Sequence, residues 1–349
     1  MRQVKVAING LGRIGRAFLK LAVKEPALAV LAVNDLGDPA NLAYLLKYDS
    51  AYGRSGLKIA AGQNELEIEG QKIKFLQIRE PSQLPWGELG IDVVVEATGV
   101  FETYEKARAH LAAGARRVVV TAPIKGEPAP GVTGATVLVG LNEEALGRCQ
   151  ISSNASCTTN AAAPVIKILH EALGIEKALL NTVHAYTASQ KLVDGPDAKD
   201  WRRGRAAAQN IIPSTTGAAL SVTEALPELR GRFDGIALRV PVLAGSIADL
   251  TFVSKRPTTR DEVNAILKKA ATEPRWQGIF TASDEPLVSA DIVGTSHAAI
   301  ADLQFTKVVG GPNDKPGFGN LVKVLAWYDN ESGYAATLIR HVLKAGQTV

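Results

Sequence analysis

The chain has 349 residues, 46% of them hydrophobic, and a formal net charge of +4. That length supports two separately cored domains, and no run approaches the roughly 18 consecutive apolar residues of a membrane helix, which argues against a spanning segment. The mild charge, with no Lys/Arg block interleaved with aromatics, argues against a nucleic-acid surface and is compatible with anionic small molecules.

The opening MRQVKVAINGLG enters an alternating apolar run at once, without a charged leader or apolar h-region, so export is not expected. Two cysteines, Cys149 and Cys157, are too few for a disulfide scaffold, and no His or Cys pairs stand at zinc-ligand spacing around them. Free thiols in a reducing, cytoplasmic setting are expected, with no metal.

Taken in chain order, VKVAIN (4–9) reads as a buried strand, GLGRIG as a glycine turn, RAFLKLAVK as a helix and LAVLAVN, ending at Asn34, as a second strand. IDVVVEAT, TYEKARAHLAAG, RRVVVTAP and ATVLVGL repeat the alternation expected of an open parallel sheet. Residues 1–156 are therefore expected to form a doubly wound α/β domain. Beyond Cys157, KALLNTVHAYT, DGIALRVP and GSIADLTFVSK read as longer strands with polar alternation, which predicts an α+β domain with a mostly antiparallel sheet over 157–328. The segment from Ala188 to Ile212 reads as an ordered functional loop.

Gly10, Gly12 and Gly15 form G-x-G-x-x-G between a predicted strand and helix, and Asp35 closes the second strand 20 positions after Gly15. The first glycine permits a tight turn, the second lets a pyrophosphate approach the backbone and the third lets helix and strand pack closely. Asp35 would accept from ribose hydroxyls and repel a 2′-phosphate, so NAD is expected rather than NADP.

Cys157, in SNASCTTN at a predicted helix start, can be activated by the helix terminus or by a nearby imidazole. Cys149 defaults to packing. Among five histidines, His170 lies too far along the same helix, and His110 and His341 read as surface or capping residues on helices rich in alanine, leucine or valine. His184, in TVHAYT at a strand end, and His297, in TSHAAI, remain as partners.

INGLGRIGR, KYDSAYG, VVVEATGVF, SNASCTTN, TVHAYTASQK, AAAQNIIPSTTGAA, LRVP and AWYDNESGY occur in the order, and nearly the spelling, of phosphorylating glyceraldehyde-3-phosphate dehydrogenases, which the chain resembles over almost its whole length. The resemblance implies that Cys157 attacks the aldehyde, that His184 holds the thiolate and takes the hydroxyl proton, and that inorganic phosphate cleaves the thioester to 1,3-bisphosphoglycerate. It implies Thr187 and Arg239 for the substrate's phosphate and Ser156, Thr216, Gly217 and Arg203 for the attacking phosphate, with Thr158 also among these ligands. For the cofactor it adds Arg13, Ile14, Arg79, Thr98, Gly99, Thr121, Asn330 and Tyr334. It also implies a homotetramer, and a final helix (329–349) that returns to complete the first domain. Ser332, where the family usually carries an aromatic, and a Gly/Pro-rich insertion near 309–319 depart from the pattern. Erythrose-4-phosphate dehydrogenase, or a non-catalytic binding member of the family, are the alternative readings.

Overall fold

The computed structural model describes residues 2–311 and 317–349. The chain divides into two compact units, Met1–Ala155 with Ala335–Val349, and Ser156–Tyr334. Among the described residues the first unit is built on a nine-stranded sheet. Its strands run in the order Gly134–Thr136, Ile151–Ser153, Arg117–Val120, Val93–Glu96, Val4–Asn9, Leu28–Asn34, Gln71–Leu76, Glu65–Ile68 and Ile59–Ala61. Pairing is parallel from the first of these to Gln71–Leu76, and the last two strands join antiparallel. The central strands are the β-branched runs VKVAIN and VVVE, buried on both faces as parallel strands are. Asn9 stands in register with Asn34 on one side and Glu96 on the other. The residues that follow them, Gly10, Asp35 and Ala97, therefore emerge together at the carboxyl edge, where open α/β sheets take ligands.

The end of the Ser332–Gln347 helix belongs to this unit: a Cβ added at Gly346 would lie 2.2 Å from Val4 Cγ1. His110 and His341 are not surface or capping residues, because both are fully buried. Alanine-rich helices lie close to a sheet, and a histidine on the inner face then finds partners in the core. His341 Nε2 meets Ser152 Oγ at 2.7 Å and its Nδ1 meets Asn154 Oδ1 at 3.2 Å.

Among the described residues the second unit carries a seven-stranded sheet, ordered Ile212–Thr215, Phe233–Val240, Ile175–Ala185, Ser246–Thr259, Phe318–Tyr328, Ala299–Gly310 and Phe280–Ser283. Pairing is mostly antiparallel, with Ile175–Ala185 parallel to Phe233–Val240 and Phe280–Ser283 parallel to Ala299–Gly310. The helices Cys157–Leu173 and Arg260–Ala271 pack on this sheet. Ala178, Leu180, Thr182 and His184 alternate as the buried side of their strand, while Leu179 points the other way and is 64% exposed. Gly310 pairs with Gly319, so the Gly/Pro-rich stretch near 309–319 joins two antiparallel strands; its residues 312–316 lie outside the described residues.

Burial pulls the His341 imidazole down to about 3. The unfolded chain binds a proton near the ordinary value of about 6.5 and the folded protein does not, so this histidine's contribution is complete above that pH and is lost as pH falls towards 3. Denaturant unfolding of the parent between pH 4 and 6 should lose up to about 1.4 kcal/mol per pH unit more than His341→Gln does. Parallel pH profiles would remove this assignment.

Candidate active site

The Cys157–Leu173 helix starts on Ser156, whose Oγ accepts from Thr159 N at 3.1 Å. Ala155, just before it, sits at φ +51°, a left-handed conformation that turns the chain between strand Ile151–Ser153 and the helix. Cys157 thus occupies the first helical position, where backbone N–H groups and the helix dipole favour a thiolate. His184 is one residue from the end of strand Ile175–Ala185, paired in register with Arg239 on the parallel neighbour. That register puts three functional side chains in one place. His184 Nε2 lies 3.3 Å from Cys157 Sγ, and its Nδ1 is approached by the Ala185 carbonyl at 2.6 Å and by an Arg239 guanidinium nitrogen. Of the two histidines left open by the sequence, His184 is the one in contact with the thiol.

Burial is the largest influence on this cluster. It pushes the Cys157 thiol up, against the Arg239 charge and the hydroxyl and backbone of Thr158, which pull it down. It pulls His184 down to about 3, reinforced by Arg239 and opposed by the Ala185 carbonyl. Moving the thiol proton to Nε2 creates opposite charges 3.3 Å apart, and their attraction offsets part of that desolvation.

Tyr328 is a residue that pattern reading missed. Its hydroxyl is buried between Thr158 Oγ1 at 2.9 Å and Thr182 Oγ1 at 2.7 Å, and its ring stands edge-on to His184 with centroids 6.0 Å apart. It joins the residue after the nucleophile to the residue two before the imidazole. Thr158 is accordingly turned to Tyr328 and is 4% exposed. Ser246 does similar work, donating to Asn330 Oδ1 at 3.0 Å and accepting from Ala185 N at 3.1 Å.

Thr187 Oγ1 meets Ser189 Oγ at 2.9 Å, and Arg203 also donates to Ser189, so a serine absent from the sequence reading links these two candidates. Arg205 pairs instead with Asp194 at 2.8 Å, closing the loop. Thr216 Oγ1 accepts from Ala218 N at 3.1 Å, and Gly217 precedes the Ala218–Ala225 helix. Both line a groove of about 850 Å³ with Lys177, Leu179, Leu220 and Arg232, a groove whose walls do not include Cys157, His184 or Arg239.

In the first unit, a cavity of about 380 Å³ is lined by Gly10, Gly12, Asp35, Arg79, Thr98 and Phe101 among others. Gly10 has φ +97°, and a Cβ there would lie 2.8 Å from the Thr98 backbone. A Cβ at Gly15 would lie 2.0 Å from Gly10 O, whereas one at Gly12 would meet nothing within 4 Å. The first and third glycines therefore answer to the fold, and the second leaves open space over an Arg13–Ala22 helix that no side chain caps. An uncapped helix start beside an open glycine fits a dinucleotide pyrophosphate. Asp35 Oδ2 accepts from Leu11 N at 2.7 Å and Oδ1 from Gly37 N at 2.8 Å, so the carboxylate also ties down the glycine turn. Arg13 is paired with Asp49 at 2.7 Å. Ile14 follows it in the first turn of that helix, Gly99 has φ +71°, and Thr121 N donates to Glu96 O at 3.0 Å. Asn330 and Tyr334, both buried, belong to the second unit.

Residues 4–104 match the family model described as glyceraldehyde 3-phosphate dehydrogenase, NAD binding domain, and residues 156–330 match the C-terminal domain of the same enzyme. The chain is 46% identical over 343 residues to glyceraldehyde-3-phosphate dehydrogenase 1 of Kluyveromyces lactis, covering 97% of this chain and 99% of the relative. It is 46% identical to the Mycobacterium avium glyceraldehyde-3-phosphate dehydrogenase over 99% of both chains, and 45% identical to that of Geobacillus stearothermophilus over 96% of both.

Two substitutions test the geometry of the thiol. Arg239→Gln removes the nearby charge that lowers the Cys157 thiol, so the midpoint of iodoacetamide alkylation against pH should move to higher pH; an unmoved or lower midpoint would refute that influence. Tyr328→Phe takes a partner from two buried threonine hydroxyls, leaving Thr182 its 3.3 Å bond to Ile247 O, and should cost about 1–3 kcal/mol of stability, together with about a tenfold slower alkylation at pH 7. A variant as stable and as reactive as the parent would show that the hydroxyl bridge positions nothing.

Proposed function

The chain belongs to the glyceraldehyde-3-phosphate dehydrogenase family, and from that membership we propose that it oxidises D-glyceraldehyde 3-phosphate to 1,3-bisphosphoglycerate with NAD and inorganic phosphate, through a thioester on Cys157. The observation that carries this reading is the 3.3 Å approach of Cys157 Sγ to His184 Nε2 at a helix start, with Arg239 beside both.

In the first step the Cys157 thiol proton passes to His184 Nε2, the sulfur adds to the aldehyde carbon, and the alkoxide so formed takes that proton back, which leaves a hemithioacetal hydroxyl beside a neutral imidazole. His184 then takes the hydroxyl proton of the hemithioacetal as its C–H bond breaks and the thioester forms. NAD, when bound, supplies the acceptor for the hydride released. Phosphate oxygen next attacks the thioester carbon, and the C–S bond breaks to return Cys157 as thiolate. The protonated His184 and the Cys157 N–H stabilise the tetrahedral oxyanion between. Arg239 and Thr187 would hold the substrate's phosphate, and Arg203, Ser156, Thr216 and Gly217 the attacking one, since arginine forks and hydroxyls match phosphate oxygens. The unit of residues 1–155 and 335–349 serves as the NAD-binding domain and that of 156–334 as the catalytic domain, so the return to the first unit falls at 335 and not at the expected 329.

The working form is a cytoplasmic homotetramer. Supporting self-association, Leu179, Ile236, Leu321 and Val309 lie exposed at positions the strand register aligns on one sheet face. Among the described residues no helix is long and apolar enough to cross a membrane.

The deciding assay follows NADH formation from glyceraldehyde 3-phosphate with and without phosphate. Multiple turnovers are expected only with phosphate; sustained turnover without it would indicate a hydrolysing, erythrose-4-phosphate type of enzyme, and no NADH at all a binding member. Cys157→Ser should lose at least about three orders of magnitude in turnover while still binding NAD, and Cys149→Ser should stay close to the parent.

A further inference from the structure

Beneath the cavity of the first unit runs a row of buried polar side chains that the reaction itself does not use. Asn9, Asn34, Glu96 and His110 are all at most 5% exposed. Asn34 Nδ2 donates to Asn9 Oδ1 at 2.7 Å, and Asn9 Nδ2 donates to Glu96 Oε2 at 2.6 Å. His110 Nε2 lies 2.9 Å from the same oxygen, and Trp86 Nε1 donates to His110 Nδ1 at 3.1 Å. The indole N–H is donor only, so Nδ1 must accept and the His110 proton sits on Nε2, directed at Glu96. At the other end, the Asn34 donor fixes the Asn9 amide so that its NH₂ faces Glu96. Hydrogen bonds therefore point inward from both ends to one carboxylate.

The remaining oxygen of Glu96 accepts from Thr98 N at 2.8 Å and from the Thr98 hydroxyl. Four donors thus meet the two oxygens of the Glu96 carboxylate, two on each. Each wall segment of the cavity is bound to this row. Residues 9–12 begin at Asn9 and 34–36 at Asn34. Ile78, beside Arg79, exchanges both backbone bonds with the Asn34 side chain, and 97–101 hang from Glu96 through Thr98. Phe101, also in the wall, lies edge-on to the His110 ring with centroids 6.1 Å apart.

The geometry points to Glu96 as a positioning residue for NAD: its carboxylate, at the centre of the Asn34, Asn9, His110 and Trp86 chain, sets the spacing of the four segments that form the dinucleotide cavity. This rests on the NAD-dependent reading above. Glutamine at this position has the same shape but puts an NH₂ either where the Asn9 and His110 donors converge or, turned over, against the Thr98 N–H that ties residues 97–101 to the row. Neither neighbour can reverse, Asn9 because of Asn34 and His110 because of Trp86. Trp86→Phe frees His110 to carry its proton on Nδ1 and to accept from such an amide through Nε2.

The test is calorimetric titration of the phosphate-free apoenzyme with NAD. Glu96→Gln should bind NAD about tenfold more weakly, with KM for NAD raised and kcat at saturating NAD and the apoenzyme alkylation rate of Cys157 close to the parent. Adding Trp86→Phe to Glu96→Gln should recover at least about threefold of that affinity, a direction that simple loss of packing does not produce. Independently of any variant, 15N-histidine spectra of the apo parent should show His110 protonated on Nε2 and not on Nδ1. Parent-like NAD affinity in Glu96→Gln, further weakening in the double variant, or a proton on His110 Nδ1 would each overturn the inference. A parent protein that does not bind NAD would instead defeat the functional reading on which it rests.

Discussion

Everything proposed for this chain depends on one approach, that of a sulfur at the first position of a helix to an imidazole near the end of a strand. Neither element can make the contact by itself. Ser156 caps the helix, Ala155 turns the chain into it, and the parallel register of Ile175–Ala185 with Phe233–Val240 brings Arg239 alongside His184. Tyr328 then fixes helix to strand through two buried threonines, where losing a hydrogen-bond partner is costly. Rigidity here comes from buried hydrogen bonds whose loss is costly, because packing alone would leave the helix free to slide by fractions of an ångström.

The two units handle burial of polarity in different ways. In the second, the charged and nucleophilic groups oppose one another: burial raises the thiol, lowers the imidazole, and Arg239 favours the anion while disfavouring the cation. Burial thus favours the neutral pair on both counts, and transfer of the proton from Cys157 to His184 draws on the attraction of the opposite charges it creates 3.3 Å apart. In the first, the donors of the polar row converge on Glu96 from both sides, which suits a frame that must not change state.

How much of this was legible in the sequence depended on the range of the interaction that fixes each residue. The strand, glycine turn and helix from Val4 onward, Asp35 at the following strand end, and Cys157 at a helix start are set by neighbours within a few positions, and they were read from local pattern. Local pattern could narrow His184 only to a pair with His297, because its partner lies 27 residues away in sequence, and it was the family resemblance that singled it out. Tyr328, Ser189 and Glu96 carried no local signal: a tyrosine in a long strand, a serine in a loop and a glutamate after three valines look ordinary until the sheets form. His110 was misread because the alanine-rich Tyr104–Ala112 helix has no strongly apolar stripe to mark its inner face, whereas His341 stands on a stripe of Leu338, Val342 and Ala345 that could have shown its burial.

The hold of Asp35 on two backbone amides bears on how this protein could change over generations. One carboxylate both faces the ligand cavity and closes the turn that carries Leu11 and the glycines. A single replacement that removed its charge would leave two N–H groups looking for an acceptor before any new ligand arrived. Drift toward a different dinucleotide is thus blocked at the first step unless another acceptor has already appeared nearby, and ligand preference is inherited together with the shape of the loop.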